Sequence, residues 1–411
     1  MAAAFTLTDA TFRSSRHATH YWETGPADGP LMVFLHGWPE IGLVWRAQIE
    51  AFASEGWRCI APDMRGYGGS SAPSASEAYA LKEIVDDMVE LHDHLGARPA
   101  IWIGHDLESP VVGALAAHHA KRSRGVVFLS VPYSPEAFAL PSLLPLIDRK
   151  LYPADQYPDG QWDYYRFYLT HFDQTVTDFN ADIPATLAAI YQSGNPASVG
   201  KVYRSALVRR NGGWFGSAHQ APTMPPDPAL WPAADFDSLV EAFRVTGFRP
   251  GNSWYLNDSA NIAYANTAHD GGRLRQPVLF VNGDFDGLCD ITHNRLGDPM
   301  RSGAVGLKSP DFFEAMEKAK DAGAIVSFVG APLLKPDEIA QLDPHHPPLL
   351  IVATASLGEV PGVPGNRAGL AAMLDAKILQ LVIVDGAADS PAKTDATHEL
   401  FSQHYLILSH K

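Results

Sequence analysis

The 411-residue sequence predicts an α/β fold: a mostly parallel sheet with helices on both faces, an inserted helical segment and an appended small α/β unit. Three observations predict it. Short continuous apolar runs alternate with an amphipathic helical pattern through the first third of the chain. Between residues 134 and 268 the texture changes to Tyr, Trp, Phe, Pro and Asn, with few strand-like runs. Strand patterns resume at "PVLFVNGDFDG" (277–287) and alternate again with helical ones after about residue 305.

Taken in order, "LMVFLHG" (31–37), "RCIAPD" (58–63), "AIWIGHD" (100–106) and "GVVFLSVP" (125–132) read as buried strands. Uninterrupted apolar runs bounded by Gly, Pro and Asp suit parallel strands covered on both faces. In "YALKEIVDDMVELHDHLG", Leu81, Ile84, Val85, Met88 and Leu95 recur near a 3.6-residue period, which predicts an amphipathic helix stopping at Gly96. His118 and His119, in "ALAAHHAKR", read as helix-surface residues. After residue 305, "SPDFFEAMEKAKDAG" (309–323) reads as a helix with Ser309 as N-cap and Pro310 in the first turn. "AIVSFVG" (324–330), "LLIVATA" (349–355) and "LQLVIVDG" (379–386) read as strands, and "NRAGLAAMLDAK" (366–377) and "THELFSQHYLIL" (397–408) as helices. The Pro- and Gly-rich "EVPGVPG" (359–365) reads as a loop, and no internal repeat is visible. The boundaries that follow are 1–133 and 269–305 for two parts of one core, 134–268 for the helical insertion and 306–411 for an atypical C-terminal segment.

Bulk composition narrows the function. The formal charge of -15 leaves no basic excess to neutralise phosphates, which argues against nucleic acid as a partner. The two cysteines, Cys59 and Cys289, are too few for a disulfide framework and suggest a reducing, cytoplasmic setting. No charged start followed by a long apolar stretch opens the sequence, and no run approaches the ~18 apolar residues of a membrane span. His345 and His346 lie between prolines in "LDPHHPP" and read as a loop, so no metal site and no cofactor are expected.

The chemistry concentrates at "GHDLESP" (104–110). A strand that ends in Gly-X-nucleophile and opens a helix is a nucleophile elbow, here with Asp106 in the middle position. Such a turn exposes its nucleophile above the sheet and aims the next backbone N–H, that of Leu107, at a developing oxyanion. The second donor is expected from Trp38 in "HGWPE" (36–40), whose loop also offers Pro39 and His36 to a substrate, His36 reading more as a brace of its loop than as a chemical group. A carboxylate nucleophile suits attack at saturated carbon, opening a strained ring or displacing halide to leave an alkyl ester. Hydrolysis of the ester then needs a base, normally His, oriented by a carboxylate.

"HGWPE", "DMRGYGGSSAP" (63–73) and "IGHDLESP" together resemble the epoxide hydrolase branch of the α/β-hydrolase superfamily, over about residues 1–303. The resemblance implies a helical cap with two tyrosines that polarise an epoxide oxygen. It puts one at Tyr164, in "WDYYRFYLTHF" (162–172), with Tyr165 and Tyr168 as near rivals. It puts the other at Tyr255, in "NSWYLND" (252–258). The family's acid falls on Asp286, in "VNGDFDGLCD" (281–290), with Asp284 as the rival. The implied substrate is a small hydrophobic epoxide and the product a vicinal diol. Haloalkane dehalogenases share the aspartate but tend to carry Trp directly after it, where this chain has Leu107.

Two departures stand against the pattern. The family's base is a His after the next strand, yet "AIVSFVG" runs on into Ala331 and Pro332 without one. The base is therefore unassigned among His293, His345, His346, His398, His404 and His410, and residues 306–411 read as a replacement for the family's own C-terminus. Glu108 occupies the elbow position that normally holds a small residue. It either crowds the turn and raises the Asp106 pKa, or faces solvent. The alternatives to an epoxide hydrolase are a pseudoenzyme or small-molecule binding protein that keeps the pocket, and a dehalogenase using the same aspartate.

Overall fold

A computed structural model describes residues 6–300, apart from 55, 194–197, 199, 277, 283–285, 290 and 292–293, together with three strands farther along the chain. Seven strands form the main sheet: β1 (Thr8–Arg13), β2 (Ala18–Thr24), β3 (Leu31–Leu35), β4 (Arg58–Pro62), β5 (Ala100–His105), β6 (Ser123–Leu129) and β7 (Val278–Val281), in the order β1-β2-β4-β3-β5-β6-β7. The five strands read from the sequence are the parallel ones, with Val33 opposite Ile60 and Trp102, and Val127 opposite Ile103 and Leu279. The sequence reading omitted β1 and β2. They form an antiparallel pair, Thr8 opposite Glu23, and β2 joins the sheet antiparallel to β4. β1 is almost wholly exposed, so it lacks the apolar run that marks the interior strands.

The strand pleat divides the core in two. Met32, Phe34, Ile101 and Ile103 face one side and pack with Ile49 and Phe52 of α1 (Arg46–Ser54). Leu31, Val33, Leu35, Ala100 and Trp102 face the other and pack under α2 (Leu81–His94) and α3 (Glu108–His118). Side chains of successive strand residues point to opposite faces, so a continuous apolar run fills both layers. All five residues assigned to the apolar stripe of α2 are buried, and the helix ends with Gly96 at φ +101°, a conformation that favours glycine.

Between β6 and β7 the described residues include eight α-helices: α4 (Leu140–Leu143), α5 (Asp163–Thr170), α6 (Phe172–Asn180), α7 (Ile183–Ile190), α8 (Val208–Asn211), α9 (Ala233–Thr246), α10 (Arg249–Ser253) and α11 (Asp258–Ala265). Their aromatic residues, including Tyr165, Phe179, Phe243 and Phe248, join the same core cluster as the α2–α3 face of the sheet. Arg46 of α1 grips the Asp235 carboxylate of α9 through Nε and Nη2 at 2.9–3.1 Å, tying this layer to the core. His118, expected on the surface, is half-buried and stacks on Tyr264 of α11 at 4.0 Å.

A separate three-stranded parallel sheet has the order β10-β9-β8, from β8 (Leu349–Thr354), β9 (Gln380–Asp385) and β10 (Leu406–Ser409). β8 and β9 fall on the two strands read there. β10 corrects the helix read over 397–408 at its C-terminal end, because "LILS" pairs with Val382–Asp385. A short β-prone apolar run follows the neighbour that offers it a free edge. The helices read over 309–323 and 366–377, the strand over 324–330 and the loop at 359–365 lie outside the described residues.

Candidate active site

The elbow is built by three local features. Asp106 adopts φ +52°, a left-handed turn conformation that a non-glycine residue enters only under constraint. Its N–H donates to the Leu129 carbonyl at 3.2 Å, and Ser109 closes the turn by donating its N–H to the Asp106 carbonyl at 3.0 Å. The Ser109 hydroxyl sits 2.7 Å from the Gly104 carbonyl and 3.1 Å from that of Leu129, pinning α3 to the ends of β5 and β6. Gly104 is required here, because a Cβ would lie 2.4 Å from the Glu108 carbonyl oxygen. α3 is buried on almost every side, as its apolar sequence demands.

The loop after β3 meets this turn from the side. Gly37 lies so close that a Cβ would stand 2.6 Å from the Asp106 Cβ. The Trp38 backbone N–H donates to the Asp106 carboxylate, which is the geometry expected of an oxyanion donor. Leu107 forms the N-cap of α3, so its N–H has no carbonyl one turn back to bond. The Trp38–Pro39 bond is cis. Pro39 is buried, and its carbonyl accepts from the Tyr191 hydroxyl at 2.9 Å.

His36 takes the bracing role and not the substrate contact. Its Nδ1–H donates to the Gly37 carbonyl at 2.9 Å, and Nε2 accepts from the Met64 N–H at 2.9 Å. The ring is fully buried and burial lowers its pKa, so it is a neutral brace with no polar atom left for a substrate.

Sequence reasoning missed the ion pair beside the elbow. Glu40 accepts from the Gly37 N–H at 2.6 Å and sits 3.2 Å from His105 Nδ1. Burial disfavours the imidazolium, but Glu40, Asp106 and Asp286 outweigh it and raise the His105 pKa to about 9. The signal was present, since Glu40 closes "HGWPE" and His105 precedes the nucleophile position, but only the fold brings them together.

Burial raises the Asp106 pKa to about 7, with Glu40 and Asp286 pushing the same way and His105 and the Trp38 N–H pulling back. Glu108 is fully buried, which rules out the solvent-facing alternative. Its carboxyl oxygens find no hydrogen-bond partner on another side chain among the described residues, its own backbone N–H being the one donor near them, and burial holds its pKa well above the ordinary value. The acid is therefore neutral and adds no charge against Asp106. The elevation expected from a like charge arises instead from burial, Glu40 and Asp286.

Asp286 lies after β7 and accepts from the Leu288 and Cys289 N–H groups at 3.0 and 2.9 Å, with a further hydrogen bond from Ser130. It interacts electrostatically with both Asp106 and His105. Asp284 and His293 lie outside the described residues, as do His345, His346, His398, His404 and His410.

The helical layer adds a cluster of phenols. The Tyr164 and Tyr255 hydroxyls share a hydrogen bond, and both feel the Asp106 charge. Burial holds both well above the ordinary phenol pKa, so both stay protonated donors. Of the two neighbours of the same type, Tyr165 bonds the Asp258 carboxylate, whereas the Tyr168 hydroxyl accepts from Trp214 Nε1 at 2.9 Å, keeps its own O–H to donate and also feels the Asp106 charge. The site thus brings together Asp106, Asp286, Trp38, Leu107, Tyr164 and Tyr255. Among the described residues, no group of three His, Cys, Asp or Glu side chains is placed to hold a metal, and no helix is long and apolar enough to cross a membrane.

The sheet order, the aspartate-bearing elbow and the helical layer over it define a capped α/β hydrolase. The family model for the alpha/beta hydrolase fold matches residues 30–298. Epoxide hydrolase A of Mycobacterium tuberculosis is 32% identical over 275 residues, covering 66% of this chain and 80% of that relative. Epoxide hydrolase B of the same organism is 33% identical, over 63% of this chain and 78% of the relative. The crystal structure of epoxide hydrolase A from Mycobacterium thermoresistibile superposes with a TM-score of 0.55 at 28% identity, covering 68% of this chain and 82% of that one. The chain belongs to the α/β hydrolase fold family, in its epoxide hydrolase branch.

Proposed function

We propose that this protein opens small hydrophobic epoxides by forming an alkyl ester on Asp106, and that hydrolysis of that ester to the vicinal diol is its slow step. The observation that carries the reading is the meeting of the Asp106 carboxylate with two protonated phenols of the helical layer. An Asp106 oxygen attacks an epoxide carbon, and the ring C–O bond breaks. Tyr164 and Tyr255 hydrogen-bond that oxygen, which stays on the neighbouring carbon and takes a proton from one of the phenols to become a hydroxyl, and the phenolate regains its proton from solvent. Water then adds to the ester carbonyl, whose oxyanion meets the Trp38 and Leu107 N–H groups, and collapse releases the diol and regenerates Asp106. Asp286 is the acid that orients a base. His105, cationic at neutral pH, cannot take a proton from that water, and His36 has both nitrogens engaged. Neither neighbouring histidine fills the missing role.

A halide reading is disfavoured by the donors present. Leu107 supplies no indole N–H, and the indole of Trp38 is bonded to Asn252 Oδ1 at 3.0 Å.

Intact-mass measurement after exposure to a reactive aryl epoxide tests the proposal. The expected result is a persistent increase of one epoxide mass, absent from Asp106→Asn. Rapid diol release without an adduct would mean that a base other than His36 and His105 completes the turnover, and that ester hydrolysis is not the slow step. Neither adduct nor diol would favour the binding-protein alternative.

A further inference from the structure

Tyr164 and Tyr168 stand one helical turn apart on α5, so they share one face of that helix. The Tyr168 ring meets Tyr255 edge-on at 5.0 Å and Tyr164 edge-on at 5.4 Å, and it lies 6.4 Å from the Trp38 ring. Trp38 is the residue whose backbone N–H reaches Asp106. Tyr168 therefore stands between the phenol pair and the oxyanion loop. It is fully buried and feels the Asp106 charge, as Tyr164 and Tyr255 do.

Each phenol carries a single O–H proton. The hydrogen bond shared by Tyr164 and Tyr255 spends one of their protons, whichever ring donates, and leaves the other for a substrate. Tyr168 is arranged differently. Its oxygen accepts from Trp214 Nε1 at 2.9 Å, and its own O–H has no acceptor among the described residues. The indole that holds it is itself fixed. Trp214 packs against the Tyr164 ring at 5.7 Å, and the Arg204 guanidinium lies over it at 5.6 Å, within cation–π range. Burial raises the Tyr168 pKa and keeps the phenol protonated, while the Trp214 hydrogen bond and the Arg204 charge favour the phenolate. A hydroxyl whose oxygen is already hydrogen-bonded points its proton away from that partner and is polarised into a stronger donor.

We propose that Tyr168 is a third catalytic phenol, donating a hydrogen bond to the epoxide oxygen as the ring opens, and that Trp214 is the positioning residue that turns its hydroxyl toward that oxygen. This rests on the epoxide-opening reading. The Asp106 oxygen forms the new bond to carbon, and the electron pair of the breaking C–O bond stays on the epoxide oxygen. That oxygen takes one proton from the three phenols, and the phenolate left behind regains it from solvent. A neutral donor that meets full negative charge only as the bond breaks acts on the rate more than on binding.

The test is the concentration dependence of single-turnover adduct formation with styrene oxide on the whole protein, followed by intact mass. Tyr168→Phe is expected to lower the limiting rate roughly tenfold with the half-saturating concentration almost unchanged. Trp214→Phe is expected to lower it partway, and to cost nothing further when added to Tyr168→Phe, because the indole acts through that hydroxyl. A limiting rate in Tyr168→Phe within roughly twofold of the unaltered protein would overturn the proposal. So would a loss confined to the half-saturating concentration, which is what a packing role predicts. Additive losses in the double variant would overturn the positioning role of Trp214. If the unaltered protein forms no adduct, the epoxide-opening reading falls and the donor is read by binding alone. Tryptophan fluorescence titrations then compare phenyltetrahydrofuran, an unreactive ring ether, with phenylcyclopentane, which lacks the oxygen. Ether binding weakened roughly threefold in Tyr168→Phe, with the hydrocarbon unaffected, supports the donor. Ether binding indifferent to the substitution overturns it.

Discussion

Asp106 must be ionised to attack, and its pKa is raised to about 7 by burial, Glu40 and Asp286 against the pull of His105 and the Trp38 N–H. Below that value the carboxyl is mostly protonated and inert. The rate of adduct formation is therefore expected to climb with pH and to level above about 7, not above the ordinary carboxyl range near ~4. Tyr164 and Tyr255 do not set an alkaline decline, because both titrate well above the usual phenol value. A stopped-flow pH profile with its midpoint near ~4 would contradict this account. Glu108 gives a second residue-scale expectation. Its buried carboxyl finds no partner on another side chain among the described residues and is neutral in the fold, and its raised pKa means that the unfolded chain releases a proton that the folded chain retains. The cost is absent below the ordinary carboxyl value and grows as pH rises toward the folded pKa. Glu108→Met, which fills similar space without a polar group, should stabilise the fold by about 1–3 kcal/mol at neutral pH and by less near pH ~4. Thermal melts at the two pH values check both parts, and a lower melting temperature at neutral pH would refute the idea.

Elements are legible where their signal is local. The five parallel strands can be read because burial on both faces leaves uninterrupted apolar runs, as in "LMVFL" and "RCIAP". α2 can be read because its stripe repeats every turn and Gly96 stops it. The elbow can be read because Gly104, Asp106 and the small Ser109 answer to turn geometry within six residues. β1 escapes the sequence because an exposed strand at the sheet edge needs no apolar run, and β2 because an antiparallel strand whose buried and part-exposed residues mix carries no continuous one. β10 reads as helix because "YLIL" carries apolar residues that suit either state, and pairing with β9 decides between them. The two tyrosines can be proposed from motifs, but what separates Tyr164 from Tyr165 is where each hydroxyl goes, and Asp258 lies far along the chain.

At the scale of the whole molecule, residues that follow β3, β5 and β7 and residues of the helical layer make up the proposed reaction site, while the histidine that the family places after the next strand has no counterpart in the sequence there. Grafting a family-like C-terminal segment that carries this histidine in place of residues 306–411 is expected to convert a persistent adduct into released diol. Time-resolved intact mass and diol chromatography on the grafted protein measure it, and an adduct that persists unchanged would show that a missing base is not the cause. By itself the sequence determined the α/β class, the elbow with its aspartate and the break in the pattern after residue 303, because turn chemistry, period and motif spacing are local properties of a chain. Only the tertiary structure decided that His36 is a brace, that Glu108 is buried and neutral, that Glu40 pairs with His105 and that Arg204 lies over the Trp214 ring. Charge state and partnership depend on burial and on neighbours from distant segments, and those are set by how the layers close on one another.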